Sequence, residues 1–253
     1  MKALITGASS GIGKDIAIYL SKLGYECILV SRSEKALKEV AKQLETKSIV
    51  KAYDLSNVDN CYKLYEDVKK ENIDILVNGA GFGLFGNTWE TDLDRELNMI
   101  DLNIVSLHVL TKLFLKDMME RDRGYIMNIA SCAGFLSGPY LNTYYATKNY
   151  VTKWTMALYE ELRREKSKVK ISCLCPGPVE TNFNKVAGGS FLMKGLESSY
   201  VAKYAVDKMF KNKLIIIPGL TSKLGVFFNR FLPHKLSLRI MYNIQKKKSD
   251  KGE

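Results

Sequence analysis

A tyrosine and a lysine four residues apart, in Tyr144-Tyr145-Ala146-Thr147-Lys148, follow Ser131 by thirteen residues. On a helix, Tyr144 and Lys148 lie one above the other on the same face. A phenol titrates near 10, so it is a poor acid–base catalyst at neutral pH. Bringing it toward 7 takes about 3 units, or roughly 4 kcal/mol of preference for the phenolate. An ammonium at Lys148, together with a cationic ring bound beside it, supplies a preference of that kind. A hydroxyl at Ser131 can then hydrogen-bond a substrate oxygen and hold it against the phenol. Tyr145 is the rival acid. Alone, the Tyr-x-x-x-Lys spacing also describes a solvated helix face, so its surroundings must decide.

A second stretch handles phosphate. Thr6-Gly7-Ala8-Ser9-Ser10-Gly11-Ile12-Gly13 lies between an apolar run and a helical pattern. Glycines there allow a tight turn, close approach of a pyrophosphate, and packing of the helix on its strand; the helix N-terminus offers free N–H groups. Gly13-Lys14 resembles the end of a nucleoside-triphosphate loop, but Asp15 stands where Ser or Thr is needed and the glycine spacing is wrong. A dinucleotide is the better ligand. After the second strand an NAD site places a carboxylate for the ribose hydroxyl. Here the segment reads Val30-Ser31-Arg32-Ser33. A guanidinium at Arg32, flanked by the hydroxyls of Ser31 and Ser33, can pair with a ribose 2′-phosphate instead, which favours NADP(H) over NAD(H). The alternative is an ordinary surface arginine.

These residues need a scaffold, and the chain alternates strand-like and helix-like stretches from its start. Strands are expected at 3–6, 26–31, 48–53, 73–77, 124–130, 169–174 and 214–217. Helices are expected near 11–23, 34–44, 58–69, 93–119 and 143–165. Repetition of that unit predicts an α/β fold of Rossmann type: a doubly wound, mostly parallel seven-stranded sheet with helices on both faces, plus a C-terminal helical extension. Residues 1–219 form a single catalytic domain in this reading, and 220–253 are a basic amphipathic extension of it. The helix at 93–119 is apolar nearly all round, so it needs cover on two sides, and a homodimer or homotetramer is expected. The first strand starts beside Met1, which predicts no cleaved signal peptide. Five scattered cysteines without a C-x-x-C pair, and only two histidines, predict reduced thiols in a cytoplasmic protein and no metal site.

The features taken together resemble the short-chain dehydrogenase/reductase family over about residues 2–219. They are Thr6-Gly7-x-x-x-Gly11-x-Gly13, Asp54-Leu55, Asn78-x-Ala80-Gly81, Asn103, Ser131, Tyr144-x-x-x-Lys148 and Pro176-Gly177-x-x-x-Thr181. The resemblance implies an NADP(H)-dependent oxidoreductase that reduces a carbonyl to an alcohol by hydride transfer. Tyr144 becomes the general acid, and Lys148 lowers its pKa while binding the nicotinamide ribose. Ser131 orients the carbonyl, and Asn103 holds a water that relays protons from Lys148. The cofactor set is then Thr6, Gly7, Ser9, Ser10, Gly11, Ile12, Gly13, Ser31, Arg32, Asp54, Leu55, Asn78, Ala80 and Gly81. Tyr144, Lys148, Pro176, Gly177, Val179 and Thr181 complete it. Asp54 is expected at the adenine, and Pro176 to Thr181 at the nicotinamide. One departure is Gly79, where the family commonly has a second Asn.

On the substrate side, Phe183, Phe191, Leu192 and Met193 follow Thr181, with Gly188, Gly189 and Gly195 as hinges; Phe82, Phe85, Phe135, Leu136 and Tyr140 occupy loops at the same end. An apolar ketone, aldehyde or acyl-chain substrate is expected. Residues 208–253 hold eleven Lys/Arg against two acids, so they carry +9 of the net +11. Leu220, Leu224, Phe227, Phe228, Phe231 and Leu232 follow helical spacing after a cap at Thr221, and Leu236, Ile240 and Ile244 align beyond Pro233. Such helices either cover the cleft or a partner subunit, or lie on an anionic membrane surface through residues 220–248. Lysines alone predict no specific nucleic-acid contact. Two other readings stay open: a non-catalytic nucleotide-binding regulator or scaffold, and a membrane-docked lipid reductase.

Overall fold

Apolar runs too continuous for a one-sided sheet become strands covered on both faces. The computed structural model describes residues 1–188 and 195–249. Its main sheet has seven parallel strands in the order β3-β2-β1-β4-β5-β6-β9. They are β1 (Lys2–Thr6), β2 (Glu26–Ser31), β3 (Ser48–Ala52), β4 (Ile75–Asn78), β5 (Tyr125–Ile129), β6 (Lys170–Leu174) and β9 (Ile215–Ile216). A two-stranded pair, β7 (Val179–Glu180) with β8 (Leu196–Glu197), sits apart.

Alternation along the strands sorts the core into two layers. Ala3 and Ile5 of β1 and Cys27 and Leu29 of β2 pack with α1 (Gly11–Lys22) and α8 (Ser198–Phe210), through Ile16, Leu20, Val201 and Met209. On the other face, Leu4, Ile28 and Val30 meet α3 (Val58–Val68), α5 (Leu107–Glu120) and α6 (Asn142–Arg164), through Leu64, Phe114 and Leu162. Strand order reverses between β1 and β4. A crevice opens there beyond the carboxyl ends of the strands, where folds of this class bind ligands.

The helix expected over 93–119 spans Leu93 to Glu120 but is not uniform. It runs as α4 (Leu93–Ile100), a π-helical turn over Asp101–Ser106, and then α5. The wider turn buries Asn103 completely at its centre, and π-turns of this kind recur at functional sites. The body covers Met99, Leu110, Phe114 and Met118 but leaves Leu93 and Leu97 exposed.

Beyond β9 the chain forms α9 (Leu220–Asn229) and α10 (His234–Ser249). The expected cap at Thr221 is corrected: α9 starts at Leu220, directly after Gly219 at φ +80°. That left-handed backbone is the reason the boundary falls on a glycine. The expected lid residues Gly189 and Phe191 to Met193 lie outside the described residues. Phe183 opens a short helix α7 (Phe183–Ala187), and α2 covers Glu34–Ala41.

Candidate active site

The crevice is a cavity of about 790 Å³ with the turn after β1 at one end. Gly7 has φ +69°, and a Cβ there would stand 2.7 Å from the Gly79 carbonyl oxygen. A Cβ on Gly13 would stand 2.4 Å from the Gly7 oxygen. Neither contact is tolerable with backbone, so glycine is required at both positions, and the helix sits hard against its strand. Ser10 caps α1 without a side-chain hydrogen bond, and the first turn holds no acid. Its N–H groups and dipole therefore face the cavity without competition from the protein, which is the donor set a pyrophosphate needs.

The structure brings most of the expected cofactor set to this wall. Gly7, Ser9, Ser10, Gly11, Ile12 and Gly13 line it, as do Ser31, Arg32, Asp54, Leu55, Ala80 and Gly81. At the far side Pro176, Gly177, Val179 and Thr181 complete it. Arg32 is exposed at the rim and makes no ion pair among the described residues. Ser33, the second serine flanking Arg32, lies on the same wall, as does Tyr53, which was not expected there. Ser33 also caps α2 by accepting from the Ala36 N–H at 3.3 Å.

Two expected contacts need correction. Thr6 does not line the cavity; its hydroxyl accepts from the N–H groups of Gly79 (3.0 Å) and Ala80 (3.1 Å) and so shapes the turn after β4. Asn78 is buried beneath the wall. Its amide donates to Thr111 Oγ1 (2.8 Å) and to Asn128 Oδ1 (2.9 Å), while Asn128 donates to Thr155 Oγ1 (3.0 Å). That network ties β4 to β5, α5 and α6. Asn78→Ala is expected to cost about 1–3 kcal/mol of stability through the groups left unpaired, with dinucleotide affinity unchanged. Chemical denaturation and a binding titration check this; weakened binding at full stability would contradict it. Gly79, the departure from the family pattern, lines the cavity. A Cβ there would stand 2.8 Å from the Thr6 oxygen, so an Asn at this position needs the backbone to move.

At the cavity's centre Ser131, Tyr144 and Lys148 converge. Ser131 lies two residues beyond β5 and caps the 3-10 turn Cys132–Phe135, accepting from the Ala133 N–H at 3.1 Å. Its hydroxyl donates to the Pro176 carbonyl at 3.4 Å and lies beside the Tyr144 phenol. Burial pushes that phenol well above its ordinary value, with the Ser131 hydroxyl opposing. The protein's own groups thus hold Tyr144 protonated. Lys148 Nζ donates to the Ile129 carbonyl at 2.9 Å and stands 5.8 Å from the centre of the Tyr144 ring. Burial draws its ammonium down to about 8. Tyr145 lines the same cavity, but its hydroxyl is engaged: it accepts from Gln245 Nε2 of α10 at 2.8 Å, and burial pushes it up to about 12. Of the two phenols, Tyr144 is the one beside Ser131 and Lys148.

Asn103 does not line the cavity. Its side chain accepts from the Phe82 N–H (3.1 Å) and donates to the Phe82 carbonyl (2.9 Å) and to Thr147 Oγ1 (3.1 Å). It locks the loop after β4 onto α6, one residue before Lys148. The apolar end is lined by Phe82, Leu136, Leu141, Phe183 and Val186. Phe85 and Tyr140 instead stack on each other, with ring centres 5.6 Å apart, and Phe135 packs against the buried cluster of Leu107, Ala130, Val151, Cys173 and Cys175. Aromatic type alone did not separate the wall from its support. Asp94, Arg95 and Asn98 of α4 also reach the cavity and went unexpected, since nothing in their spacing marks them.

The short chain dehydrogenase family model matches residues 1–188. Human 17-beta-hydroxysteroid dehydrogenase 13 is 32% identical over 250 residues, 96% of this chain and 83% of that protein. The very-long-chain 3-oxoacyl-CoA reductase of Mycosarcoma maydis is 32% identical over 203 residues, which is 76% of this chain but 57% of its own length. Among solved structures, a short-chain dehydrogenase from Sphingobium yanoikuyae in complex with NADPH superposes with a TM-score of 0.81 at 23% identity, covering 90% of this chain and 92% of that one. One from Burkholderia phymatum in complex with NAD gives 0.80 at 24%, covering 89% and 91%. These two likenesses show the fold, and they do not separate the two dinucleotides. Sequence and fold agree that this chain belongs to the short-chain dehydrogenase/reductase family, oxidoreductases that interconvert carbonyls and alcohols with a nicotinamide dinucleotide.

Proposed function

We propose that the protein is an NADP(H)-dependent reductase of apolar carbonyl compounds. The observation that carries this reading is the convergence of Ser131, a protonated Tyr144 and Lys148 on one cavity with a helix N-terminus that no capping side chain hydrogen-bonds. The bound dinucleotide supplies the hydride. Ser131 and Tyr144 hydrogen-bond the substrate oxygen, and Tyr144 delivers its proton there as negative charge develops. Lys148, charged below about pH 8, steadies the phenolate left behind. Asn103 keeps Lys148 in place from the π-turn and is our candidate for ordering a relay water. Arg32 favours a 2′-phosphate because its guanidinium is free to make bidentate bonds.

An apolar substrate fits the wall of Phe82, Leu136, Leu141, Phe183 and Val186. Relatives whose names specify very-long-chain 3-oxoacyl-CoA and 17-beta-hydroxysteroid support bulky apolar groups. A homo-oligomer formed over the uncovered side of α4 and α5 belongs to the same proposal, with a monomeric mass in sedimentation counting against it. Turnover of NADPH with carbonyls graded from short and polar to long and apolar tests the substrate. Efficiency is expected to rise with apolar length, and equal efficiencies would overturn the apolar assignment.

The pH dependence has a defined sign. Lys148 loses its proton as pH rises through about 8, so kcat/KM for NADPH is expected to be level below that pH and to fall above it. Lys148→Met should abolish that limb along with most of the activity. A profile that climbs through pH 8 in the reductive direction would contradict the role given to the ammonium.

A further inference from the structure

Helices normally bury their apolar stripe, but α9 does the reverse. Leu220, Leu224, Phe227 and Phe228 fall within about 100° of one another on a helix of 3.6 residues per turn, Phe231 follows in the turn just past its end, and all are exposed. Phe228 is 59% and Phe231 70% accessible. The three phenylalanine rings touch, with centres 5.4 and 5.5 Å apart, so they make one patch. The opposite side of α9 holds it to the body. Val226 is buried there, Asn229 reaches the Phe135 carbonyl, and Ser222 lies where a Cβ on Gly177 would be.

The next helix repeats the pattern. Met241 and Gln245 of α10 face inward, against the wall formed by Tyr144 and Tyr145. Leu236, Ile240 and Ile244 are exposed on one stripe, and Lys235, Arg239 and Lys246 are exposed along its flank. Both helices are thus fixed to the protein by their inner faces, while each turns an apolar stripe outward. Contiguous exposed aromatic and aliphatic surface of this kind marks an interaction site.

We propose that α9 and α10 dock the protein on an anionic lipid bilayer. Charge decides the occupant. Residues 208–249 contain no Asp or Glu and carry ten Lys or Arg. A second copy of the chain meeting this face across a two-fold axis would bring cations against cations. A bilayer surface accepts both parts: rings and aliphatic chains enter the headgroup boundary, and lysine and arginine stems extend beside them to the phosphates. Each cation near such a surface contributes about fivefold to the partition. The inner faces of the same helices support the reaction cavity, so docking sets that cavity close to the lipid.

Flotation of the full chain with phosphatidylcholine vesicles, with and without phosphatidylserine, tests this. The chain is expected to float with the phosphatidylserine vesicles and to be released by high salt. Lys235→Gln, Arg239→Gln and Lys246→Gln together should weaken binding on the order of 100-fold. A Phe227→Asp/Phe231→Asp double variant should fail to float while keeping the wild-type unfolding temperature. Absence of flotation, or flotation unaffected by these changes, overturns the proposal. So does a dimer that the Phe227→Asp/Phe231→Asp change dissociates, since a second copy would then own the face. Flotation does not depend on turnover, so its failure is distinct from failure of the reductase reading.

Discussion

Tyr144→Phe is expected to lower kcat by about 10²–10⁴-fold, the range associated with loss of a positioned acid, while leaving the KD for NADPH within a factor of two or so of wild type. The ring keeps its packing against Phe183, whose centre is 5.2 Å away, and only the hydroxyl beside Ser131 disappears. Tyr145→Phe is the matched control. It removes the acceptor for Gln245, and its expected cost is in stability, about 1 kcal/mol, with turnover retained. Single-turnover kinetics and thermal unfolding of both variants separate these effects. Lost turnover in Tyr145→Phe with normal rates in Tyr144→Phe would exchange the two roles.

The second large effect concerns the cofactor. Arg32→Asp is expected to reverse the preference between NADPH and NADH by about 10²–10³-fold in kcat/KM. The change removes charge-assisted hydrogen bonds worth about 1.5–3 kcal/mol each, and it sets a carboxylate where a 2′-phosphate would sit. The same carboxylate suits a ribose 2′-hydroxyl. Ser31 accepts from the Ser33 N–H at 3.3 Å, so the backbone of this turn is expected to survive the substitution. Equal use of both dinucleotides by wild type, unchanged in the variant, would show Arg32 to be an ordinary surface residue.

Much of this site was legible because its parts repeat along single elements. The glycine turn depends on a strand, a turn and a helix in immediate succession, and Tyr144 and Lys148 are one helical turn apart. What escaped the sequence depends on register and on distant contacts. Asn78 belongs to a motif, yet its role follows from its pairing with Asn128 on the adjacent strand, which no spacing within 78–81 reveals. The π-turn around Asn103 leaves the apolar pattern of the helix nearly unchanged, so only the backbone shows it. Gln245 reaches Tyr145 across one hundred residues of chain. For α9 the spacing was read as a helix, but apolar periodicity does not say whether the stripe faces in or out. Contact through Ser222 and Val226 decided that. Phe82 and Phe85 show the same limit in a loop, where one ring lines the cavity and the other stacks on Tyr140.

The central claim is direct hydride transfer from NADPH to a carbonyl carbon held by Ser131 and Tyr144. Incubation with NADPH deuterated on the transferring face of the nicotinamide C4, and a long-chain ketone, tests it by mass spectrometry of the product alcohol. One deuterium at the carbinol carbon, formed about 10²–10⁴-fold more slowly with Tyr144→Phe, is the expected result. Tight NADPH binding with no labelled alcohol from any carbonyl in the series would contradict the account and leave a nucleotide-binding protein without turnover.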